Sequence, residues 1–348
     1  MPLESDPVEI DLTQIGDPRD AVHLAVAALA QKGRVALPTA AGYACLTSAL
    51  ELEPSEGPRP ALVLLGAGEL PDWAVSIPAA VQRLTRRTWP GPVVLRVGPG
   101  VLFDRLPSPA REALAPDGRL ELTAPADPLV RAIAELAATP LALIPSPAGA
   151  QLVLDSGPIS YVLMPAMVEV DGAGGWSIVD PGILAADDVT RLAAFQLLFV
   201  CTGNTCRSPM AEGLCRLLLA RRLGCEPQDL PARGYEIASA GVCAGAGMPA
   251  AAHAAEVLRR QGGSIDTHAS QPVTDRLVAR ADLILTMTAD HLDALLDVFP
   301  EAEPRARLLH ADGQDIDDPI GASLDTYEQT AQQIARQIEH LLDELGVA

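Results

Sequence analysis

Aromatic residues make up only 3% of the 348 residues, and lysine is nearly absent: Lys32 stands alone beside 24 arginines. With so few rings, the cores have to be filled by Ala, Leu and Val, as in layered α/β folds. No apolar run reaches the ~18 residues that a membrane-spanning helix needs. The first residues, Met1 to Asp11, are acidic and lack the apolar stretch of a leader peptide. No two cysteines have C-x2-C spacing, which removes the usual mark of a structural zinc site; no metal or cofactor is expected. Positive charge is short too, with a formal net charge of -20. Residues 1–194 carry 23 acidic and 13 basic side chains and residues 195–348 carry 22 and 12, so no acidic tail explains the excess. Such a chain is repelled by nucleic-acid backbones and by anionic membranes. At 49% hydrophobic residues it fills real cores, and its length suits two domains.

The most informative stretch is Cys201-Thr202-Gly203-Asn204-Thr205-Cys206-Arg207-Ser208. It lies between an apolar run, Leu197-Leu198-Phe199-Val200, and a helical run, Pro209 to Leu219. A strand, a tight loop and a helix N-terminus form an anion trap, with loop amides and the helix dipole favouring a dianion such as phosphate. Arg207 suits two phosphate oxygens at once. The same positive field favours a thiolate at Cys201. A thiolate beside a bound phosphoryl group is a covalent phosphatase in outline. A bare C-x5-R is weak, since six cysteines and 24 arginines give about 0.4 chance matches in this length. The full octet is stronger: Gly203 allows the turn, Asn204 pins the loop, and Ser208-Pro209 starts the helix. The alternative is a buried cysteine that only packs.

From residue 195 onward, apolar strands alternate with amphipathic helices. Strands are expected at 195–200, 235–239, 281–287 and 306–309, and helices at 210–223, 249–261, 289–299 and 324–345. In the last helix Tyr327, Ile334, Ile338, Leu341 and Leu345 share one face. The alternation implies a mostly parallel sheet with helices on both faces and a ligand site at the carboxyl ends of the strands, where the Cys201 loop lies. A cysteine phosphatase also needs a general acid. The segment Asp312-Gly313-Gln314-Asp315-Ile316-Asp317-Asp318-Pro319-Ile320-Gly321 offers four aspartates. Asp318 is singled out, because Pro319 fixes the backbone after it and Gly321 permits a tight return. The alternative is a solvated acidic loop.

Residues 195–348 resemble the low-molecular-weight protein tyrosine phosphatase family over their whole length. The likeness is carried by the segment from Val200 through the octet to Glu212, by Ser239-Ala240-Gly241 and by Asp318-Pro319, with His268-Ala269-Ser270 a looser match. It implies a Rossmann-like parallel-sheet domain and a set mechanism. Cys201 attacks phosphorus, Arg207 binds the phosphoryl group, and Asp318 protonates the leaving group and then activates water against a phosphocysteine. Asn204 would hold the loop and Ser208 would bond the thiolate. Thr202, together with Asp318-Pro319-Ile320-Gly321, is most similar to the protein-arginine-phosphatase branch, which carries threonine directly after the nucleophile. A hydroxyl there would orient a water or the guanidinium of phosphoarginine; the alternative is a residue merely tolerated beside the loop. Tyrosine-specific members usually carry aromatics after Asp-Pro to wall a slot for the phenol ring. The arginine branch often has one there too, so Ile320 departs from both patterns. The expected phosphate-binding set is thus Thr202, Gly203, Asn204, Thr205, Cys206, Arg207 and Ser208, with Thr202 and Ile320 setting specificity. Cys206 either pairs reversibly with Cys201 or is a small packed residue. Cys215, Cys225 and Cys243 read as core or incidental thiols, and His253, His291, His310 and His340 as structural or surface residues.

Residues 1–194 read as a mixed α/β domain. Helices are expected at 21–31, 79–87 and 128–138, strands at 34–37, 61–65, 93–97, 120–123 and 141–144, and a final hairpin from 162–170 and 176–179 around Asp171-Gly172. Several fragments resemble the threonylcarbamoyl-adenylate synthase (YrdC-like) family: Val35-Ala36-Leu37-Pro38-Thr39, Trp89-Pro90-Gly91-Pro92-Val93, Asp127-Pro128-Leu129-Val130, Ile144-Pro145-Ser146-Pro147-Ala148 and Asp155-Ser156-Gly157-Pro158. The resemblance implies a twisted open sheet with a concave face for ATP. The phosphate-holding residues do not carry over. The family's lysine and arginine fall in a region that here reads Glu51-Leu52-Glu53-Pro54-Ser55-Glu56, a strand arginine is Leu122, and Ser146 lacks the asparagine two residues on. Three glutamates would repel a triphosphate. This half reads as a degenerate YrdC-like domain serving as a nucleotide-binding, partner-binding or oligomerisation module, with the junction near 189–194.

Three functions follow. One is a cytoplasmic phosphatase acting on phosphorylated protein side chains, phosphoarginine favoured over phosphotyrosine. The others are a binding protein and a bifunctional enzyme with residual threonylcarbamoyl-adenylate synthesis.

Overall fold

The computed structural model describes residues 7–14, 16–98, 100–159, 161–172 and 174–347. The start of the acidic N-terminal segment, residues 1–6, lies outside them. The chain divides into two compact units, Met1–Leu192 and Ala193–Ala348. Among the described residues no helix is long and apolar enough to cross a membrane.

Among its described residues the first unit holds ten strands in one mixed sheet. They are Val8–Asp11 (β1), Val35–Thr39 (β2), Gly42–Ser48 (β3), Ala61–Val63 (β4), Val93–Val97 (β5), Leu120–Thr123 (β6), Leu141–Ile144 (β7), Leu152–Asp155 (β8), Ala166–Val170 (β9) and Trp176–Asp180 (β10). The order is β1-β8-β2-β3-β7-β4-β6-β5-β9-β10. Helices Pro18–Ala30 (α1), Ala79–Thr88 (α2), Ser108–Leu114 (α3), Pro128–Leu136 (α4) and Ala186–Ala193 (α5) accompany it. Ala21, Val22, Ala25 and Leu29 of α1 and Val130 and Ile133 of α4 pack with Val35, Leu37, Leu46 and Leu154 of the sheet. The Asp127-Pro128 fragment has a local cause: Asp127 accepts from the Leu129 and Val130 amides, and Pro128 sits at the first helical position. The expected final hairpin pairs antiparallel but begins only at Ala166. Strands β1, β3 and β8 were not expected. The last five residues of β3 are all buried, so it lacks the alternation that marks a strand in sequence.

The second unit is built from Phe195–Cys201 (β11), Arg207–Leu223 (α6), Tyr235–Gly241 (β12), Ala252–Arg260 (α7), Asp275–Arg280 (α8), Leu283–Thr286 (β13), Ala289–Val298 (α9), Ala306–Leu308 (β14) and Leu324–Glu344 (α10). Its four-stranded sheet runs β12-β11-β13-β14, and every pair is parallel. Strand β11 alternates strictly. Leu197, Phe199 and Cys201 join the core under α6, α7 and α10, whereas Leu198 and Val200 join the core under α8 and α9. From β11 the chain first crosses to one neighbour, β12, and later to the other, β13. This is the topological switch point at which ligands of such sheets bind, and Cys201 ends the strand there. In α10, Tyr327, Ile334, Ile338 and Leu341 are buried as expected, joined by Leu342, with Leu345 half-buried.

Phe199 is fully buried at the centre of this unit. Phe199→Ala is expected to cost about 3–5 kcal/mol, read as a lower urea midpoint for the second unit's transition.

Candidate active site

The octet bridges the end of β11 and the start of α6. Its shape is set by Asn204, which is fully buried and has φ of 53°. Asparagine tolerates this left-handed backbone better than most residues. Its amide donates to Ser208 Oγ and to Ser239 Oγ, each at 2.9 Å, and its Oδ1 accepts from the Gln271 N–H at 2.9 Å. The Asn204 carbonyl lies 2.8 Å from His268 Nε2, which places the looser His268 motif against the loop. Ser239 Oγ donates onward to Glu212 Oε2 at 2.6 Å. The turn was expected to depend on Gly203. It does not, because the left-handed residue is Asn204, and a Cβ on Gly203 would meet only Thr205 Oγ1 at 3.7 Å.

Close approach governs Gly241 instead. A Cβ there would lie 2.5 Å from the Thr202 carbonyl oxygen and 2.9 Å from the Asn204 nitrogen. The residues after it stitch to the loop, Val242 N–H to the Cys201 carbonyl and Cys243 N–H to the Thr202 carbonyl, both at 2.9 Å.

Cys201 is buried at the loop's start, its Sγ 3.0 Å from Ser208 Oγ. Ser208 was expected to open the helix, but α6 begins at Arg207 with Cys206 before it and no side-chain cap. Ser208 spends its hydroxyl on the thiol instead. It accepts from Asn204, leaving one proton to share between the Ala240 carbonyl at 3.2 Å and Cys201 Sγ. A charged sulfur wins that proton, because charge-assisted hydrogen bonds are the stronger. The uncapped helix leaves its first N–H groups free for an anion.

Arg207 is buried and donates to the Ile316 carbonyl at 3.2 Å and to Asp318 Oδ2 at 2.6 Å. The structure thus brings Cys201, Arg207 and Asp318, separated by up to 117 positions, to one loop mouth. Asp318 Oδ1 accepts from the Ile320 N–H at 3.1 Å, and Ile320 itself is 70% exposed. Thr205 contributes its carbonyl to the Ala251 N–H at 2.8 Å. Cys206 is buried with its Sγ 3.2 Å from Tyr327 Oη. All six cysteines are free. Burial pushes the Cys215 thiol up to about 12, so it stays protonated in the core. His253 stacks edge-on against Tyr327 at 5.4 Å.

His291 is the site residue that sequence reasoning missed. It is buried, with Nε2 2.7 Å from Thr202 Oγ1 and Nδ1 2.8 Å from Thr288 Oγ1. Burial pushes its pKa below the ordinary value and nearby Arg207 adds to this, against a smaller opposite pull from Asp318, Asp290 and Asp315. Only its position three residues after a helix-capping threonine was visible in sequence.

In the first unit, Lys32 Nζ pairs with Glu51 Oε2 at 3.0 Å on the surface, and Leu122 is fully buried.

A buried thiol at a strand end, an uncapped helix N-terminus, a buried arginine and a carboxylate beside it are the arrangement of a phosphate-loop hydrolase of the cysteine type. Residues 196–347 match the family described as Low molecular weight phosphotyrosine protein phosphatase. The protein-arginine-phosphatase of Geobacillus stearothermophilus is 36% identical over 156 residues, covering 43% of this chain and 96% of that relative. The one from Bacillus subtilis (strain 168) is 34% identical over 154 residues, with the same coverage of 43% and 96%. The probable low molecular weight protein-tyrosine-phosphatase EpsP of Ralstonia nicotianae is 36% identical over 144 residues, 41% of this chain and 90% of that relative. The chain belongs to the low molecular weight phosphotyrosine protein phosphatase family, through its second unit, and is an enzyme of the protein phosphatase class.

Two outcomes follow from this geometry. Gly241→Ala will force the loop apart and lower phosphatase activity at least about tenfold while costing about 1–3 kcal/mol of stability; wild-type activity in that variant would show that the loop yields. His291 is held neutral, so as pH falls through its ordinary value of 6.5 the unfolded ring takes a proton that the folded one resists. Stability is therefore lost below that pH. The thermal midpoint should fall less steeply between pH 7.5 and 5.5 in His291→Gln than in the wild type.

Proposed function

We propose that the chain hydrolyses phosphorylated protein side chains through a phosphocysteine, with phosphoarginine its favoured substrate. The observation that carries this is the meeting of Cys201, bonded to Ser208 at 3.0 Å, with Arg207, bonded to Asp318 at 2.6 Å, around one loop. In the first step the Cys201 thiolate attacks phosphorus. Arg207 and the loop amides of Gly203 to Ser208 hold the phosphoryl oxygens as charge builds on them. The bond to the leaving nitrogen or oxygen breaks, and Asp318 gives that atom its proton. In the second step Asp318 takes a proton from water, the hydroxide attacks phosphorus, and the S–P bond breaks to release phosphate and restore the thiolate. No redox partner or metal enters this balance.

Preference for phosphoarginine is supported by Thr202 directly after the nucleophile and by relatives named protein-arginine-phosphatase at 36% and 34% identity. The exposure of Ile320 counts against phosphotyrosine, since a side chain 70% in solvent walls no deep phenol slot. Phosphotyrosine is the second reading, favoured by the EpsP relative at 36% identity.

For the first half we propose a domain over residues 1–194, joined to a phosphatase domain over 195–348. It would be a degenerate, YrdC-like module for binding a nucleotide or partner rather than for synthesis. The surface pair of Lys32 with Glu51 and the burial of Leu122 support the loss of phosphate-holding chemistry there. A cytoplasmic setting is supported by six free cysteines, one of them the nucleophile.

Parallel hydrolysis of peptides carrying phosphoarginine, phosphotyrosine or phosphoserine, by the reduced full-length protein, tests the reading. Cys201→Ser should abolish turnover, and Asp318→Asn should lower it roughly 10²–10⁴-fold. Retained turnover in Cys201→Ser would sink the mechanism. A clear preference for phosphotyrosine would leave the mechanism standing and overturn the specificity.

A further inference from the structure

Glu212 lies on α6 beyond the octet, and the proposed mechanism gives it no task. Its side chain is only 17% exposed, so its charge has to be met by partners. It has two. One carboxylate oxygen, Oε1, pairs with Arg216 Nη2 at 2.8 Å, one turn further along the helix. The other, Oε2, accepts from Ser239 Oγ at 2.6 Å. Arg216 also donates to the Ile237 carbonyl at 2.8 Å, which anchors the ion pair on β12, the strand that carries Ser239.

From Ser239 the hydrogen bonds run on to the nucleophile, and all but the last have a forced direction. Asn204 Oδ1 faces the Gln271 backbone N–H, which can only donate, and a flipped amide would set two donors face to face. The Asn204 amide nitrogen is therefore the atom that meets Ser239 and Ser208, and it donates to both. Ser239 is 1% exposed and has a single hydroxyl hydrogen. The Glu212 carboxylate only accepts, so that hydrogen goes to Oε2. A second lone pair on either serine changes none of this, because at each of these contacts one of the two atoms can act in only one way. Ser208 accepts from Asn204 and keeps its own hydrogen for Cys201 Sγ at 3.0 Å and the Ala240 carbonyl at 3.2 Å.

Glu212 thus gives the Ser239 hydrogen its acceptor. A buried hydroxyl that lacks one turns to seek another, and the turn carries away the lone pair that Asn204 uses. Asn204 then loses one of the bonds that hold its amide in line with Ser208. We propose that Glu212 is a positioning residue for the nucleophile, which locks the Ser239 hydroxyl and so keeps Asn204 and Ser208 set against Cys201 Sγ. This rests on the phosphatase reading of Cys201. Glu212 touches no reacting atom; it acts through Ser239 and Asn204.

The test uses Glu212→Gln, Glu212→Asp, Ser239→Ala and the double variant Glu212→Asp with Ser239→Ala, all in the full-length protein. It reads kcat and KM for p-nitrophenyl phosphate and the rate at which iodoacetamide inactivates the enzyme. Glu212→Gln loses the charge but keeps an acceptor at the same reach. Glu212→Asp keeps the charge but draws it back beyond hydrogen-bond distance of Ser239. Glu212→Asp should lower kcat about tenfold with KM changed less than about twofold, and should slow inactivation by a similar factor. Glu212→Gln should stay within about twofold of the wild type on all three readings. In the Ser239→Ala background, Glu212→Asp should lower kcat no further. Wild-type kcat in Glu212→Asp, or a Glu212→Gln at least as slow as Glu212→Asp, would mean that the hydrogen bond to Ser239 is not what matters and would overturn the inference. So would a full additional loss in the Ser239→Ala background, or a loss confined to KM, which is the mark of a residue that only props up phosphate binding. A wild type inert towards both p-nitrophenyl phosphate and a phosphoarginine peptide would overturn the phosphatase reading itself, which separates the two failures.

Discussion

Asn204 is buried and left-handed at once, and the rest of the site depends on its meeting both demands. The backbone conformation costs roughly 1–2 kcal/mol in a residue with a side chain. Leaving a buried amide without partners would cost about 1–3 kcal/mol more. Both penalties are offset because the side chain is filled on every side by Ser208, Ser239 and Gln271. That filling is also what orders the chemistry. By donating to Ser208, Asn204 leaves the serine's own proton for the Ala240 carbonyl and Cys201 Sγ, and so links the curvature of the loop to the hydrogen bonding of the sulfur at its start. Gly241 belongs to the same constraint, since the loop closes down on β12 more tightly than any side chain would permit.

A chain of net charge -20 that carries an anion site looks contradictory. The two act at different ranges. Exposed charges are screened beyond about 8–10 Å at ordinary salt. Arg207 and the helix N-terminus act at contact distance inside a buried loop, where screening is slight. In the proposed reading the acidic surface disfavours long polyanions while a single phosphoryl group can still dock. The spread of acid over both halves, with no tail, suits this division between surface and site.

The second unit was largely legible in sequence, because β11 is a continuous apolar run that leads straight into the octet and the helices of its sheet keep their spacing. Three site residues could be named for physical reasons: a thiol and a guanidinium bracketing a strand-to-helix turn, and an aspartate fixed by a following proline. What could not be read was anything set by long-range approach. Gly203 seemed the turn residue because glycine usually is, yet long-range hydrogen bonds to Ser239 and Gln271 let an asparagine do it. Ser208 looked like a helix cap because serine usually is one, and only the folded position of Cys201 reveals its other use. His291 comes to Thr202 across 89 positions, and no local pattern announces that. In the first unit, β3 escaped notice because Gly42-Tyr43-Ala44-Cys45-Leu46-Thr47-Ser48, though buried over its last five residues, shows neither a period of two nor a continuous apolar run.

The pairing of Arg207 with Asp318 has a consequence for turnover. In the proposed cycle one guanidinium serves two anions in succession, the carboxylate between rounds and the phosphoryl group during them. An incoming phosphoryl group therefore trades one anionic neighbour for another, which keeps resting affinity modest. The trade carries a proton with it: Asp318 takes one up as the phosphoryl group displaces it from Arg207, and gives up the one it took from water as phosphate leaves, so that its carboxylate can reclaim the guanidinium. Because that carboxylate is also the acid and base of the reaction, the group that completes each cycle also clears the product from it.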